Sequence, residues 1–340
     1  MEITLFQKKQ RRARQFLLAL FILLLFTCLV SLKVGAYTTN PLNIIKGLLG
    51  KADDPKVNII MQNNRLPRLL TTLVAGAGLG LSGCVLQAIL RNPLASASTL
   101  GVSQGASFGA AFAIVVLGLG AENSLGIPLL AFIGSISVAI IILALSKLQR
   151  VTPETIVLAG VAISAIFGGA TTLIQYFANE VQLASLVYWT FGDLGASSWS
   201  DIQQMALLLL AFSLFCFYHR WDYNALLSGQ ETATSLGLSV ERLTIINMFA
   251  CCLMASVIVS HVGLISFVGL VAPHMVRLIL GNNHIYLIPG SLLAGSVVLL
   301  LSDCLARFIM SPIILPIGTI TSFLGGPLFL YLLFQERGRR

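Results

Sequence analysis

"RLPRLLTTLVAGAGLGLSGCVLQAILRNPLA", residues 65–95, opens on two arginines, carries no charge from Leu69 to Leu90, and closes on a basic Asn-Pro turn. A helix needs roughly 20 consecutive apolar residues to cross a bilayer, and the uncharged run supplies them. Within it Gly76 and Gly80 stand four apart and leave one helix face without side chains. Such faces let backbones approach where lipid provides no hydrophobic drive between helices. This is a membrane span built to pack against another helix.

The rest of the chain repeats that pattern. Of 340 residues 56% are hydrophobic and only 10% charged, with a mean hydropathy of +0.90. A soluble domain cannot bury that much apolar surface, so the fold class is an all-α polytopic membrane protein. Ten spans are expected, at 16–36, 66–88, 96–117, 127–146, 154–176, 202–218, 243–262, 264–280, 286–306 and 317–334, in one domain over 1–340. The basic start "KKQRRARQFLLALFILLLFTCLVSL", residues 8–32, reads as the first span rather than a cleaved signal. Its apolar run is too long and lacks a small-residue cleavage site. The eighth span is expected to be short and bent, since Gly263, Gly269 and Pro273 interrupt it. "GVSQGASFG" places Gly101, Gly105 and Gly109 at four-residue spacing, expected to form one small-residue face.

Ten spans put both termini on one side. Of twenty-one Lys and Arg, seven (Lys33, Lys46, Lys51, Lys56, Arg65, Arg68 and Arg307) fall on the far side, and the other fourteen share the side of the termini. The positive-inside rule then predicts cytoplasmic termini, with those seven facing out. The net charge of +8 is a matter of topology, since the basic residues lie in loops and tails, and it does not argue for nucleic acid. Two extramembrane stretches stand out. Residues 177–201 carry Tyr188, Trp189 and Trp199 and read as a short interfacial helix on the outside. Residues 221–243, on the cytoplasmic side, are polar and longer than a simple connection of roughly 2–8 residues.

Several chemistries are missing. The chain has no G-x-x-x-x-G-K-[ST] phosphate loop and no H-E-x-x-H, and its four histidines are scattered without ligand spacing. Six cysteines all lie in apolar stretches without zinc, haem or redox spacing and behave as small hydrophobes. Neither a cofactor nor a resident metal is expected. Asp303 is the one carboxylate well inside a span, with Arg307 one turn on as its partner. A lone acid paired near a helix end is a poor coupling site for an ion-driven carrier, and that alternative loses ground. A membrane enzyme is disfavoured by the lack of any clustered catalytic set.

The blocks "RLPRLLTTLVAGAGLGLSGCVLQAILRNPLA", "LGVSQGA", "VYWTFGDLG", "LGLSVERL", "GLISFVGLVAPHMVRL" and "LPIGTITSFLGGPLFLYLL" appear in an order that resembles the permease subunits of type II ABC importers for iron-siderophore complexes, haem and cobalamin. The resemblance covers nearly the whole chain. It implies ten transmembrane helices per subunit, a homodimer with the pathway at its interface, two separate ATPase subunits, and a periplasmic or lipid-anchored binding protein that docks outside. It further implies that Arg65, Arg68 and Arg307 are outward arginines that meet acidic residues of that protein. Gly229, Glu231, Ala233, Leu236 and Gly237 match the loop that fits a cleft on the ATPase, with Gly237 ending a short helix. Asn92 and Leu94 match positions near a cytoplasmic gate, although an Asn-Pro turn explains them as simply. Pro153 and Glu154 depart from the small hydroxyl residues of some relatives. The cargo implied is a ferric siderophore, haem, cobalamin, or an oxyanion such as molybdate, the siderophore being the commonest.

Overall fold

The computed structural model describes residues 2–35, 37, 40–120, 125–148 and 153–337. Among them the regular structure is helical: α1 (Glu2–Lys33), α2 (Pro41–Leu48), α3 (Pro55–Ile60), α4 (Leu66–Ile89), α5 (Val102–Ala111), α6 (Gly126–Leu148), α7 (Pro153–Tyr176), α8 (Glu180–Phe191), α9 (Trp199–Tyr218), α10 (Arg220–Leu227), α11 (Gln230–Ser235), α12 (Val240–Val262), α13 (Val268–Leu280), α14 (His284–Phe308) and α15 (Ile317–Arg337). A π turn at Met61–Arg65 joins α3 to α4 without a break, and another, Phe112–Val116, extends α5. Seven helices are long and apolar enough to cross a membrane: α1, α4, α6, α7, α9, α12 and α14. The other three expected spans are shorter apolar helices, α5 with its π turn, α13 and α15.

The bundle is arranged around α4. Its most apolar window is 83% buried, against 17% in α1 and 22% in α7 and α9, whose apolar side chains face outward as lipid-facing surfaces do. Close approach comes from small residues. Gly76 and Gly80 of α4 lie against the backbone of Ser291 and Gly295 in α14, while Gly105 and Gly109 of α5 lie against Gly134 and Leu130 of α6. Gly101 does not extend that face: it sits at φ +88° as the N-cap of α5, in the left-handed region that glycine enters without steric penalty. The third span accordingly starts at Val102 instead of 96. Residues 96–101 are held as a turn by Ser96, Ser98 and Thr99 bonding to one another and to nearby backbone.

The eighth span begins later than expected for a related reason. Gly263, at φ +74°, ends α12, and α13 starts only at Val268, after Phe267 at φ +65°. Gly269 and Pro273 do not break α13, which runs through both. Proline has no N–H for the carbonyl four residues back, here Gly269. The Gln87 side chain of α4 donates to that oxygen and to the Leu270 oxygen, each at 3.4 Å.

Candidate functional site

Two groups of sequence-selected residues lie at opposite ends of α14. A helix of 25 residues at 1.5 Å per residue spans roughly 37 Å, the thickness of a bilayer core and part of its headgroups.

Arg65, Arg68 and Arg307 converge at the C-terminal end of α14. All three are largely buried, at 6%, 7% and 8% exposed. The reason is unpaired backbone. The last carbonyls of any helix have no partner within it, and cations are favoured there. At the end of α1, Arg65 Nη1 donates to Leu32 O at 2.6 Å and its Nη2 to Tyr37 O. Arg307 Nη1 donates to Ser31 O at 3.0 Å and Val34 O at 2.7 Å, and its Nη2 to Ser31 Oγ at 2.7 Å. Tyr37 is itself held by donating to Asp54 at 2.8 Å. Asp54 also accepts from the Lys56 backbone N–H, and these two bonds, the backbone one first, hold its carboxyl below the ordinary aspartate range.

Asp303 lies at the centre of this cluster, fully buried. Arg68 Nε donates to its Oδ1 at 2.8 Å. The Arg307 Nη2 stands 2.7 Å from its Oδ2, an ion-pair contact off the hydrogen-bonding direction. The sequence revealed the Asp303–Arg307 half of this triad. Arg68 is 235 residues away, so its share was invisible. A second carboxylate, Asp193, follows α8 and places Oδ1 3.4 Å from Arg68 Nη1, with its side chain 59% exposed. The three arginines share a surface pocket of about 250 Å³ with Gly35, Tyr37, Asn64 and Pro312. Three guanidiniums line this pocket, with Asp303 buried behind them, Asp193 against Arg68 at its rim, and Asp54 held through Tyr37.

At the other end α10 and α11 form a double helix-turn in place of a loose loop. Tyr223, fully buried, donates to Asn247 of α12, and Asn224 bonds to Asn283 and to the backbone and ring of His284 at the start of α14. Gly229 at φ +112° opens α11. Gly237 closes it at φ +88°, with its N–H on Thr234 O and the next N–H on Ala233 O. This double bond is a Schellman cap, whose left-handed residue is usually glycine. Glu231, Leu236 and Gly237 are exposed and Gly229 is half-buried. Ala233 is fully buried, on the face of this short helix that packs against the bundle. Asn92 makes the Asn-Pro turn in full, its side chain accepting from Leu94 N at 2.9 Å, and Leu94 is exposed beside it. The side chains of Pro153 and Glu154 lie outside the described residues.

A further hollow escaped the sequence reading. The end of α8, the α12–α13 connection and α15 enclose about 460 Å³ lined by Thr190, Phe191, Leu264, Ser266, Gly318, Thr319, Ser322 and Phe323. Its wall is hydroxyls and rings with no charged group. Only the fold brings residues from such distant positions together.

The FecCD transport family profile matches residues 23–335. An ABC transporter permease protein of Methanocaldococcus jannaschii is 46% identical over 329 residues, covering 94% of each chain. The Fe(3+)-citrate import system permease protein YfmE of Bacillus subtilis is 34% identical, covering 97% of this chain and 98% of its own. Among solved structures, a metal-chelate type ABC transporter in an inward-facing conformation superposes with a TM-score of 0.83 at 30% identity, covering 95% of this chain and 99% of the other.

Proposed function

The chain belongs to the FecCD transport family, the permeases of ABC importers, and from that premise we propose that two copies form the pathway for a metal chelate of the ferric-siderophore kind. ATP is handled by separate subunits, and cargo arrives on a binding protein. In this reading both termini and the α10–α11 turn are cytoplasmic and the arginine pocket faces out. ATP-driven movement of α10–α11 would switch the pathway by rigid-body motion between two states.

The observation that carries the reading is the convergence of three guanidiniums on one concave pocket. Such a pocket receives a carboxylate of a docking protein, and arginine's planar fork suits that recognition. At the other end, the exposed Glu231, Leu236 and Gly237 form a compact knob for a cleft on the ATPase, with Ala233 as its inner anchor. We assign Asn92 and Leu94 a place beside the inner gate on family resemblance alone. The cargo assignment rests on the uncharged hollow of hydroxyls and rings, which suits a metal enclosed by its own chelator. It agrees with the named cargo of the Bacillus subtilis relative and the class of the structural neighbour. Among the described residues no group of three His, Cys, Asp or Glu could hold a bare metal ion.

Docking is tested with right-side-out vesicles and the purified binding protein added outside. Arg68→Gln is preferred to charge reversal, because a glutamate there would also face buried Asp303. The variant should weaken docking about tenfold or more, since losing one side of a desolvated charge pair costs several kcal/mol. Raising salt should weaken the native complex in the same direction. Affinity indifferent to both would remove the docking role and, with it, the outward placement of this end.

The coupling knob makes its own prediction. Nothing lies within 4 Å of a Cβ built on Gly237, so a larger side chain projects into open space where the ATPase would sit. Gly237→Trp should therefore insert and fold, at a backbone cost of about 1–2 kcal/mol for a non-glycine residue at left-handed φ, yet abolish ATP-driven uptake in proteoliposomes. Uptake at the native rate would show that this turn is not the seat of the ATPase.

A further inference from the structure

Asp193 is the unusual member of the arginine cluster. Asp303 is fully buried and shared between Arg68 and Arg307, a fixed counter-charge inside the bundle. Asp193 is mostly exposed and reaches Arg68 at the long distance of 3.4 Å. Exposed pairs of this kind contribute little and exchange readily with other partners. Arg68 therefore presents one guanidinium edge committed to the core and a second edge held loosely by a carboxylate at the pocket rim.

The backbone carrying Asp193 is placed where its release would matter. The Asp193 N–H donates to Val262 O at 2.9 Å, and its Oδ1 also accepts from Gly195 N at 2.8 Å. Next to it Gly192, at φ +76°, fits against Val262 O, Leu264 O and Ile317, so closely that a Cβ would stand 3.0–3.1 Å from each. Thr190 and Phe191, the residues just before this corner, line the uncharged hollow together with Leu264 and Gly318. Arg68–Asp193 is thus a tie between the outer end of α4 and the corner that forms one wall of that hollow.

We propose that Asp193 is an internal stand-in for the docking protein's carboxylate: docking exchanges one carboxylate for another on Arg68 and unties the α8–α9 corner beside the cargo hollow. This rests on the reading that Arg68 receives a partner's carboxylate, and adds to it a residue that competes for the same guanidinium edge. The exchange keeps the charge around Arg68 constant, so arrival of the partner changes which chain holds the arginine without leaving it unpaired. It also gives arrival of the loaded binding protein a direct structural consequence at the pathway wall.

The experiment is a mutant cycle read by affinity of the purified, cargo-loaded binding protein for the permease–ATPase complex. Asp193→Asn removes the competitor and should tighten docking about two- to fivefold, the worth of an exposed ion pair. Arg68→Gln should weaken it. In the Arg68→Gln background Asp193→Asn should change nothing, because the two act through one contact. Asp193→Glu, which restores a competitor, should return affinity toward native. Native affinity in Asp193→Asn, or an equal gain in both backgrounds, overturns the exchange while leaving docking through Arg68 in place. Native affinity in Arg68→Gln overturns both.

Discussion

Asp303→Ala is expected to destabilise the folded protein by about 3–5 kcal/mol, the cost of removing one partner from a buried ion network. The size follows from what remains. Asp303 is fully buried and is the nearest counter-charge to two guanidiniums that are themselves 7–8% exposed. Without it, Arg68 keeps only the exposed Asp193 at 3.4 Å, and Arg307 keeps neutral acceptors on α1. Two like charges would then share a site with little water to screen them. Asp303→Asn should lie between alanine and native, since its carbonyl still accepts from Arg68 Nε but balances no charge. Thermal unfolding of the purified protein in lipid nanodiscs measures both. An alanine variant that melts with the native protein would mean that water, not Asp303, neutralises this cluster. A lowered melting point with docking unchanged in the surviving fraction would separate the structural role of Asp303 from the docking role assigned to Arg68.

The triad also marks where reading a sequence stops. Asp303 and Arg307 are one helical turn apart, so their pairing was legible from spacing alone. Seven of the expected spans were legible too, because bilayer thickness sets the length of a long apolar helix; α5, α13 and α15 are shorter than that length, and α5 and α13 begin later than the apolar runs suggested. What was not legible depends on contacts between distant segments. Arg65 and Arg307 read as charges beside span ends; that they also bond the last carbonyls of α1 is a demand set by where α1 ends. Ala233 read with its neighbours as a short helix, but which of them faces the bundle depends on how that helix packs. Gly101 matched a four-residue repeat by number and serves a turn by conformation. The hydroxyl-lined hollow draws on residues near 190, 265 and 320, and no local pattern joins them.

Gly83→Val is expected to prevent assembly of a native bundle, and Gly83→Ala to cost at least the upper part of the about 1–3 kcal/mol typical of overpacking. A Cβ on Gly83 would stand 1.7 Å from Gly269 O and 2.5 Å from Gly269 C, far inside contact distance and against backbone, which cannot rotate away as a side chain can. The contact is close because α13 has a special need at that point. Pro273 supplies no N–H to the Gly269 carbonyl, so the oxygen needs a donor from outside its own helix. Gln87, one turn along α4 from Gly83, supplies it at 3.4 Å. Gly83 lets the two helices approach, and Gln87 fills the hydrogen bond that the approach makes reachable. Separating the helices to admit a side chain would lengthen that bond and leave a buried carbonyl unsatisfied, at a further about 1–3 kcal/mol. It would also displace the start of α13, which follows Leu264 and Ser266 of the hollow. The measurement is the yield of monodisperse protein and its melting temperature for Gly83→Ala and Gly83→Val. Gly169→Ala serves as the control, since glycine is lost there into open space on ordinary helical backbone. If Gly83→Val melts no lower than that control, the α4–α13 contact is looser than a glycine-only fit and Gln87 does not depend on it.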